Sequence, residues 1–273
     1  MAHDGCGNLP LLDRGILDRF LNARARHAWG FDVDGTLLDI APTPEAVRVP
    51  PGLEAALLGR LAGGLDLVAL VSGRALPSLV GLFPGLEAAR QRGASVYLVG
   101  NHGAEWLGPE SGLRVHPAAI AARPLLAGVR DRLAGMLDHW PGTRLEDKGL
   151  TLTVHYRGAA PGTGPALQPL LEELVSGTNG RLYVVPARMA WEIRVRGAPT
   201  KGLALRTLLD RRYGPDWADS VAVVLFGDDL TDESAFLALP GALTCRVGPV
   251  PLNGAQTCLP DPAALRRLLM SGC

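Results

Sequence analysis

The run VAVVLF at 221–226 is six apolar residues without a polar interruption, and it stops on Gly227-Asp228-Asp229. A strand with one wet face alternates apolar and polar residues. An unbroken run of this length, bounded by glycine, is what a strand covered on both faces requires. LDLVALV (65–71) and SVYLV (95–99) have the same character. Helix signals lie between such runs. LEAALLGRL (53–61) places Leu53, Leu57 and Leu61 at every fourth position before Gly63-Gly64 stops it, and KGLALRTLLDRRYGP (201–215) closes on Gly214-Pro215. ESAFLAL (233–239) reads as a short helix and LTCRV (243–247) as another strand. Strands alternating with helices predict a parallel sheet wrapped on both sides.

The stretch from about 108 to 197 follows a different pattern. A helix (roughly 118–138) precedes TLTVHYR, a Gly/Pro/Ala loop, a second helix (roughly 166–176), then RLYVV and AWEIRV. Leu152, Val154 and Tyr156 alternate with Thr151, Thr153, His155 and Arg157; Trp191, Ile193 and Val195 alternate with Glu192, Arg194 and Arg196. Period-two alternation predicts a sheet with helices on one face and a polar opposite face. Simple solvation would explain that face, but its Arg, His, Glu and Thr also suit a polar ligand.

With 273 residues, 47% of them hydrophobic, the chain has ample material for one large or two modest cores. Its 27 basic and 27 acidic side chains balance, and no basic block marks a nucleic-acid binder. No apolar run reaches the roughly 18 residues of a bilayer span, and the first residues lack a signal-peptide layout. Cys6, Cys245, Cys258 and Cys273 match neither a zinc site nor a disulfide framework, so free thiols in a cytoplasmic protein are expected. LLDRGILDRFLNARAR (11–26) is expected to be a short helix packed on the core, with a partner-binding segment as the alternative.

The chemistry is concentrated where strands end. GFDVDGTLLD (30–39) sets Asp32 and Asp34 two apart after an apolar run. In an open α/β sheet, ligands sit beyond the carboxyl ends of the strands. One carboxylate there can act as a nucleophile and its neighbour as a general acid, or the pair can hold a hard cation; a turn aspartate before glycine is the plain alternative. LDLVALV ends in Ser72-Gly73-Arg74, a hydroxyl, a small residue and a guanidinium suited to an anion. VAVVLF ends in GDDLTDE (227–233), and that acidic density needs a cation, for which Mg2+ fits the all-oxygen set best. A capped helix start accounts for Asp232 and Glu233 but poorly for Asp228. Lys201 opens a helix, where the dipole disfavours a cation, so it is a candidate for gripping phosphate and damping carboxylate repulsion.

DVDGT (32–36), VSGR (71–74), Lys201 in TKG and GDDLTDE (227–233) together resemble the four motifs of haloacid-dehalogenase-type (HAD) phosphatases. DGTLLDIAPTPEAV, GNHGAEW (100–106), LEDKG (145–149), VHYR (154–157) and WEIRV (191–195) extend the resemblance to trehalose-6-phosphate phosphatases over roughly residues 28 to 250. The resemblance implies an α/β fold: a Rossmann-like parallel-sheet HAD core (1–107 and 198–273) with helices on both faces, plus an inserted smaller α+β cap (108–197). It implies Mg-dependent hydrolysis of trehalose 6-phosphate through an aspartyl-phosphate, by a monomer acting on a small sugar phosphate without nucleic acid or membrane. Another glycosyl phosphate, such as glucosylglycerol phosphate or sucrose 6-phosphate, is the alternative substrate, and a non-catalytic sugar-phosphate sensor the alternative class. Carried over by position, Asp32 is the nucleophile, Asp34 the acid and base, and Lys201 completes the catalytic set. Mg2+ is held by Asp32, the Asp34 main chain and Asp228, with Asp229 and Asp232 in support. Ser72 and Lys201 bind the phosphate, with Gly73 beside them in the substrate-binding set; Arg74, Asn101 and His102 lie on the sugar side; Glu146, Lys148, Arg157, Arg188 and Glu192 face the sugar. Two positions depart from the pattern: Ala187-Arg188 replaces a common Gly-Lys pair, and Val33 replaces a common aromatic.

Overall fold

The computed structural model describes residues 6–271. Cys273 and the opening MAHDG lie outside the described residues. In chain order the strands are β1 (Arg26–Phe31), β2 (Leu67–Val71), β3 (Val96–Gly100), β4 (Glu105–Gly108), β5 (Ser111–Val115), β6 (Arg144–Asp147), β7 (Leu152–His155), β8 (Leu182–Ala187), β9 (Ala190–Val195), β10 (Val221–Gly227), β11 (Leu243–Val247) and β12 (Thr257–Leu259). The helices are α1 (Arg14–Leu21), α2 (Leu53–Ala62), α3 (Leu76–Leu82), α4 (Pro84–Gln91), α5 (Pro117–Leu137), α6 (Thr163–Ser176), α7 (Lys201–Tyr213), α8 (Trp217–Ser220), α9 (Leu230–Ala238) and α10 (Pro262–Met270). Residues 115–198 form one compact unit, and the segments before and after them together form another.

The larger unit is built on an eight-stranded sheet in the order β12-β11-β10-β1-β2-β3-β4-β5. From β12 to β3 every pairing is parallel; β4 then runs antiparallel to β3. The apolar runs are buried on both faces, as their lack of alternation requires. Trp29, Phe31, Val68, Leu70, Val224 and Phe226 pack on one side; Ala28, Ala69, Val71, Val223 and Leu225 pack on the other. Phe31 and Phe226 stack with centroids 5.0 Å apart, and Trp29 meets Phe226 edge-on at 6.0 Å. This aromatic block fixes the last residues of β1 and β10, from which the acidic loops depart. Chain order reverses there: β1 leads to β2 and β3 on one flank, while β10 lies on its other flank. Such a switch point opens a crevice beyond the strand ends.

The smaller unit carries the sheet β6-β7-β9-β8, antiparallel throughout. Leu152, Val154, Ile193 and Val195 are buried with Leu126, Val129 and Leu133 of α5 and Leu167 and Leu171 of α6, and Tyr156 and Trp191 pack against that core. The apolar half of each alternating strand is thus the half that packs.

The N-terminal segment is packed, as expected. Asp13 caps α1 by accepting from the Ile16 N–H at 2.7 Å, and Leu17 enters the core. The free-thiol expectation is corrected: Cys6 and Cys258 form a disulfide, while Cys245 is a free, buried thiol. The partners are 252 residues apart in sequence. They meet because Leu11 bridges Cys258 in parallel, with Leu12 N–H donating to the Cys258 carbonyl at 2.9 Å. No helix among the described residues is long and apolar enough to cross a membrane.

Candidate active site

The Asp32 N–H donates to the Phe226 carbonyl at 2.9 Å, extending the β1–β10 ladder by one residue before the chain turns. The turn folds back tightly, with Gly35 N–H bonded to Leu38 O and both Leu37 and Leu38 N–H to Val33 O. Gly35 sits at φ +96°, and a Cβ there would overlap the Asp228 carboxylate. Only glycine lets the first acidic loop approach the second so closely. Thr36, fully buried, donates its hydroxyl to Asp228 Oδ1 at 3.0 Å.

Lys201, first residue of α7, is 3% exposed and sits among these carboxylates. Its ammonium donates to Asp32 Oδ1 at 2.6 Å and Asp232 Oδ1 at 2.8 Å. Asp232 Oδ2 in turn accepts from the Asp228 and Asp229 amides at 3.0 and 3.2 Å. The lysine placed against the helix dipole is therefore held by two carboxylates, which outweigh the dipole.

Ligand atoms of Asp32, Asp228 and Asp232 lie within 4.8 Å of one another. Burial, reinforced by neighbouring carboxylates and opposed by Lys201, pushes Asp32 and Asp232 up to about 8 and Asp228 up to about 7. Burial lowers the Lys201 affinity for its proton, but Asp232 and Asp32 more than reverse this and hold it well above the usual lysine range. One ammonium is too little positive charge for this cluster. Asp32 Oδ2 and Asp228 Oδ2 have no protein donor among the described residues. An all-oxygen set with surplus negative charge fits a hard divalent cation.

The structure redistributes the roles expected of the other acids. Asp229, expected as a metal ligand, instead caps α9: its Oδ1 accepts from the Thr231 amide at 2.8 Å and hydroxyl at 2.6 Å. Burial raises Asp229, but Lys201 and Thr231 overcome it and hold it down to about 2. Asp232 joins the cluster, since Asp229 at the N-cap supplies the cap and Asp232, three residues on, turns toward Lys201. The Asp34 side chain is also outside the cluster. It is gripped by Arg74, with Nε to Oδ2 and Nη2 to Oδ1 each at 2.6 Å.

Ser72 is buried, and its hydroxyl accepts from the Arg74 amide at 3.1 Å. Gly73 makes room for a ring: a Cβ there would lie 2.6 Å from His102 Cε1. Asn101 is buried and donates its amide to Glu105 Oε1 at 2.6 Å, and Glu105 also accepts from Leu76 N–H at 2.8 Å. Glu105 was not singled out from the sequence. The available signal was a carboxylate opening a short strand, within GNHGAEW.

In the smaller unit, Glu146, Thr153 and Glu192 stand side by side across β6, β7 and β9. Glu192 is 2% exposed and receives Lys148 Nζ at 3.1 Å and Arg194 Nε at 2.6 Å. His155 Nε2 lies 2.7 Å from Glu146 Oε2. Burial raises Glu146, but the His155 bond and the Lys148 charge outweigh it and leave it below the usual range. The polar face is therefore a charge-compensated network, and His155 and Arg194 are members for which the sequence analysis gives no role. Arg157 and Arg188 are exposed, in the turns after β7 and between β8 and β9.

A family model described as trehalose-phosphatase matches residues 30–246. A probable trehalose-phosphate phosphatase of Sinorhizobium fredii is 36% identical over 87% of this chain and 84% of its own length. The trehalose-phosphate phosphatase of Mycobacterium avium is 35% identical over 77% of this chain; the alignment spans 51% of that longer relative. Among solved structures, the C-terminal domain of Candida albicans trehalose-6-phosphate phosphatase superposes with a TM-score of 0.81 over 97% of both chains, at 23% identity.

Proposed function

The chain belongs to the trehalose-phosphatase family, and from that premise we propose that it hydrolyses trehalose 6-phosphate to trehalose and phosphate with Mg2+. The observation that carries this reading is the set formed by buried Asp32, Lys201 and Asp232 with half-buried Asp228 beyond the β1 and β10 ends, and Asp34 two residues after Asp32. Asp32 and Asp228 would hold the ion, which when bound supplies positive charge to the phosphoryl oxygens.

Lys201 keeps Asp32 oriented through Oδ1, leaving Oδ2 to attack phosphorus. As the Asp32–phosphorus bond forms, the bond from phosphorus to the sugar oxygen breaks, and Asp34 gives that oxygen its proton. A water oxygen then attacks the aspartyl-phosphate, loses a proton to Asp34, and releases inorganic phosphate and Asp32. General acid–base assistance of this kind contributes about 10²- to 10⁴-fold. Asp232 holds Lys201 and the two loop amides, so it acts as a brace. In the smaller unit, which we read as the specificity cap, Glu146, Lys148 and Glu192 recognise glucosyl hydroxyls; paired charges make strong, directional partners for neutral hydroxyls.

The test is phosphate release from trehalose 6-phosphate, glucose 6-phosphate, sucrose 6-phosphate and glucosylglycerol phosphate, with Mg2+ and with chelator, beside Asp32→Asn. Preference for trehalose 6-phosphate that vanishes in chelator and in the variant is expected. Preference for another member reassigns the substrate, and no release from any member by folded protein removes the enzymatic reading.

A further inference from the structure

We infer that Arg74 is a positioning residue that clamps the Asp34 carboxylate, rather than a group that binds the sugar. The inference rests on the reading of Asp34 as the acid and base. Three observations carry it. The contact is bidentate and short, with two parallel N–H···O bonds of 2.6 Å, so it fixes the plane of the carboxylate as well as its location. The guanidinium is already committed elsewhere: Nη1 donates to the Pro44 carbonyl at 3.2 Å and the Ser78 hydroxyl at 3.4 Å. The pair is also lopsided, since the Arg74 side chain is 10% exposed and that of Asp34 is 33% exposed. The arginine is the more buried partner, and the carboxylate it grips stays partly open to solvent.

The backbone under Arg74 is braced to match. Its amide donates to Ser72 Oγ at 3.1 Å, and its carbonyl accepts from Asn101 N–H at 2.7 Å. Asn101 and His102 both sit at positive φ, +46° and +57°. Asn101 is anchored through its side chain to Glu105. The loops after β2 and β3 are thereby locked to one another, and the clamp inherits their rigidity. A proton donor misplaced by about 1 Å can lose on the order of 100-fold in rate, which gives such a clamp its value.

The leaving group provides the test. A sugar alkoxide needs the Asp34 proton to depart, whereas p-nitrophenolate does not. Arg74→Lys, which keeps the charge and loses the fork, is measured with Mg2+ on trehalose 6-phosphate and on p-nitrophenyl phosphate. Steady-state rates are accompanied by a stopped-flow record of the first p-nitrophenol turnover. The expected result is kcat for trehalose 6-phosphate lowered about 100-fold with KM within about threefold. The first p-nitrophenol release stays close to wild type, followed by a slowed steady state, because water activation also uses Asp34. Arg74→Ala is run alongside, and guanidinium at millimolar concentration is expected to restore part of kcat; folding of both variants is checked by their melting curves. A raised KM at unchanged kcat would make Arg74 a sugar ligand and overturn the inference. So would an equal loss of first-turnover rate on both esters, or, if Arg74→Lys melts early, no rescue of a folded Arg74→Ala. Asp34→Asn separates the two levels. Full trehalose 6-phosphate turnover in that variant removes the role of Asp34 itself. Impaired Asp34→Asn beside a wild-type Arg74→Lys removes only the clamp.

Discussion

Asp32, Asp228 and Asp232 gather around a single ammonium, whereas Glu192 alone draws both Lys148 and Arg194. Both groups are built on carboxylates, one beyond the strand ends of its sheet and one on a sheet face, and their charge balance is opposite. In the larger unit the cluster is undercompensated, and its acids are pushed up to about 7 and 8. In the smaller unit Glu146 is drawn below its usual range by His155 and Lys148, after burial is overcome. Surplus negative charge that folding has not cancelled suits a hard cation, beside which the proposed function puts a phosphoryl group. A cancelled network can hold neutral hydroxyls without strong attraction for ions. The same residue types thus read as chemistry in one place and recognition in the other.

Breaking the first cluster gives the largest effect. Asp32→Asn should lower phosphate release by on the order of 10⁴-fold or more, as removal of a nucleophile does. Glu146→Gln measured beside it should leave p-nitrophenyl phosphate turnover within a few-fold of wild type. Equal losses on that small ester would erase the distinction between the two regions.

Stability gives the next contrast. Lys201→Met strands two buried carboxylates and should cost on the order of 3–5 kcal/mol in urea unfolding without metal. Lys148→Met leaves Glu192 its Arg194 partner and should cost about 2 kcal/mol. A smaller loss for Lys201→Met than for Lys148→Met would mean that the cluster neutralises itself by protonation.

Acidity separates the regions by sign. The usual Asp value is 3.8, and Asp32, Asp228 and Asp232 lie at about 8, 7 and 8 in the folded, metal-free protein. Between those limits the native state binds more protons than the unfolded chain, so these groups contribute a stability that falls as pH rises from about 4 to about 8. The Glu146 contribution runs the other way: it is present above the usual Glu value of 4.5 and is lost as pH falls through the lowered folded value. Melting curves from pH 5 to 8 should therefore drop with pH in chelator. Mg2+ should raise the melting temperature more at pH 8 than at pH 6, and a hundredfold excess over its Kd corresponds to a stabilisation of about 2.7 kcal/mol. A Mg2+ effect independent of pH would place the ion away from these three acids.

The mildest effect is on specificity. Glu192→Gln should lower kcat/KM for trehalose 6-phosphate by about 10- to 100-fold, the cost of weakening one or two charge-assisted hydrogen bonds, with p-nitrophenyl phosphate unaffected.

Much of this comparison was legible in the sequence because it depends on local patterns. VAVVLF announced a doubly covered strand, and Asp32 and Asp228 followed from their places at strand ends. The alternation in TLTVHYR and AWEIRV separated packed from polar residues correctly. What escaped depends on pairings that spacing does not encode. Arg74 meets Asp34 across 40 residues, and nothing in VSGR shows which way the guanidinium turns. Asp229 caps α9 while Asp232 also reaches Lys201 because a helix start needs a cap, and sequence cannot tell which acid provides it. β12 is three residues long amid loop-forming residues and has no periodicity to detect.

The disulfide between Cys6 and Cys258 closes the chain between them into a covalent loop and ties the segment before α1 to β12. Cys258 is translated 252 residues after Cys6. At about 5–20 residues per second that interval is roughly 10 to 50 s. For nearly all of that interval no other cysteine of the described chain has been made: Cys245, buried in the finished fold, comes only shortly before Cys258. The bond therefore works as a timestamp of synthesis: a nascent chain halted anywhere before residue 258 keeps Cys6 open to an alkylating reagent, and only a finished sheet edge closes it.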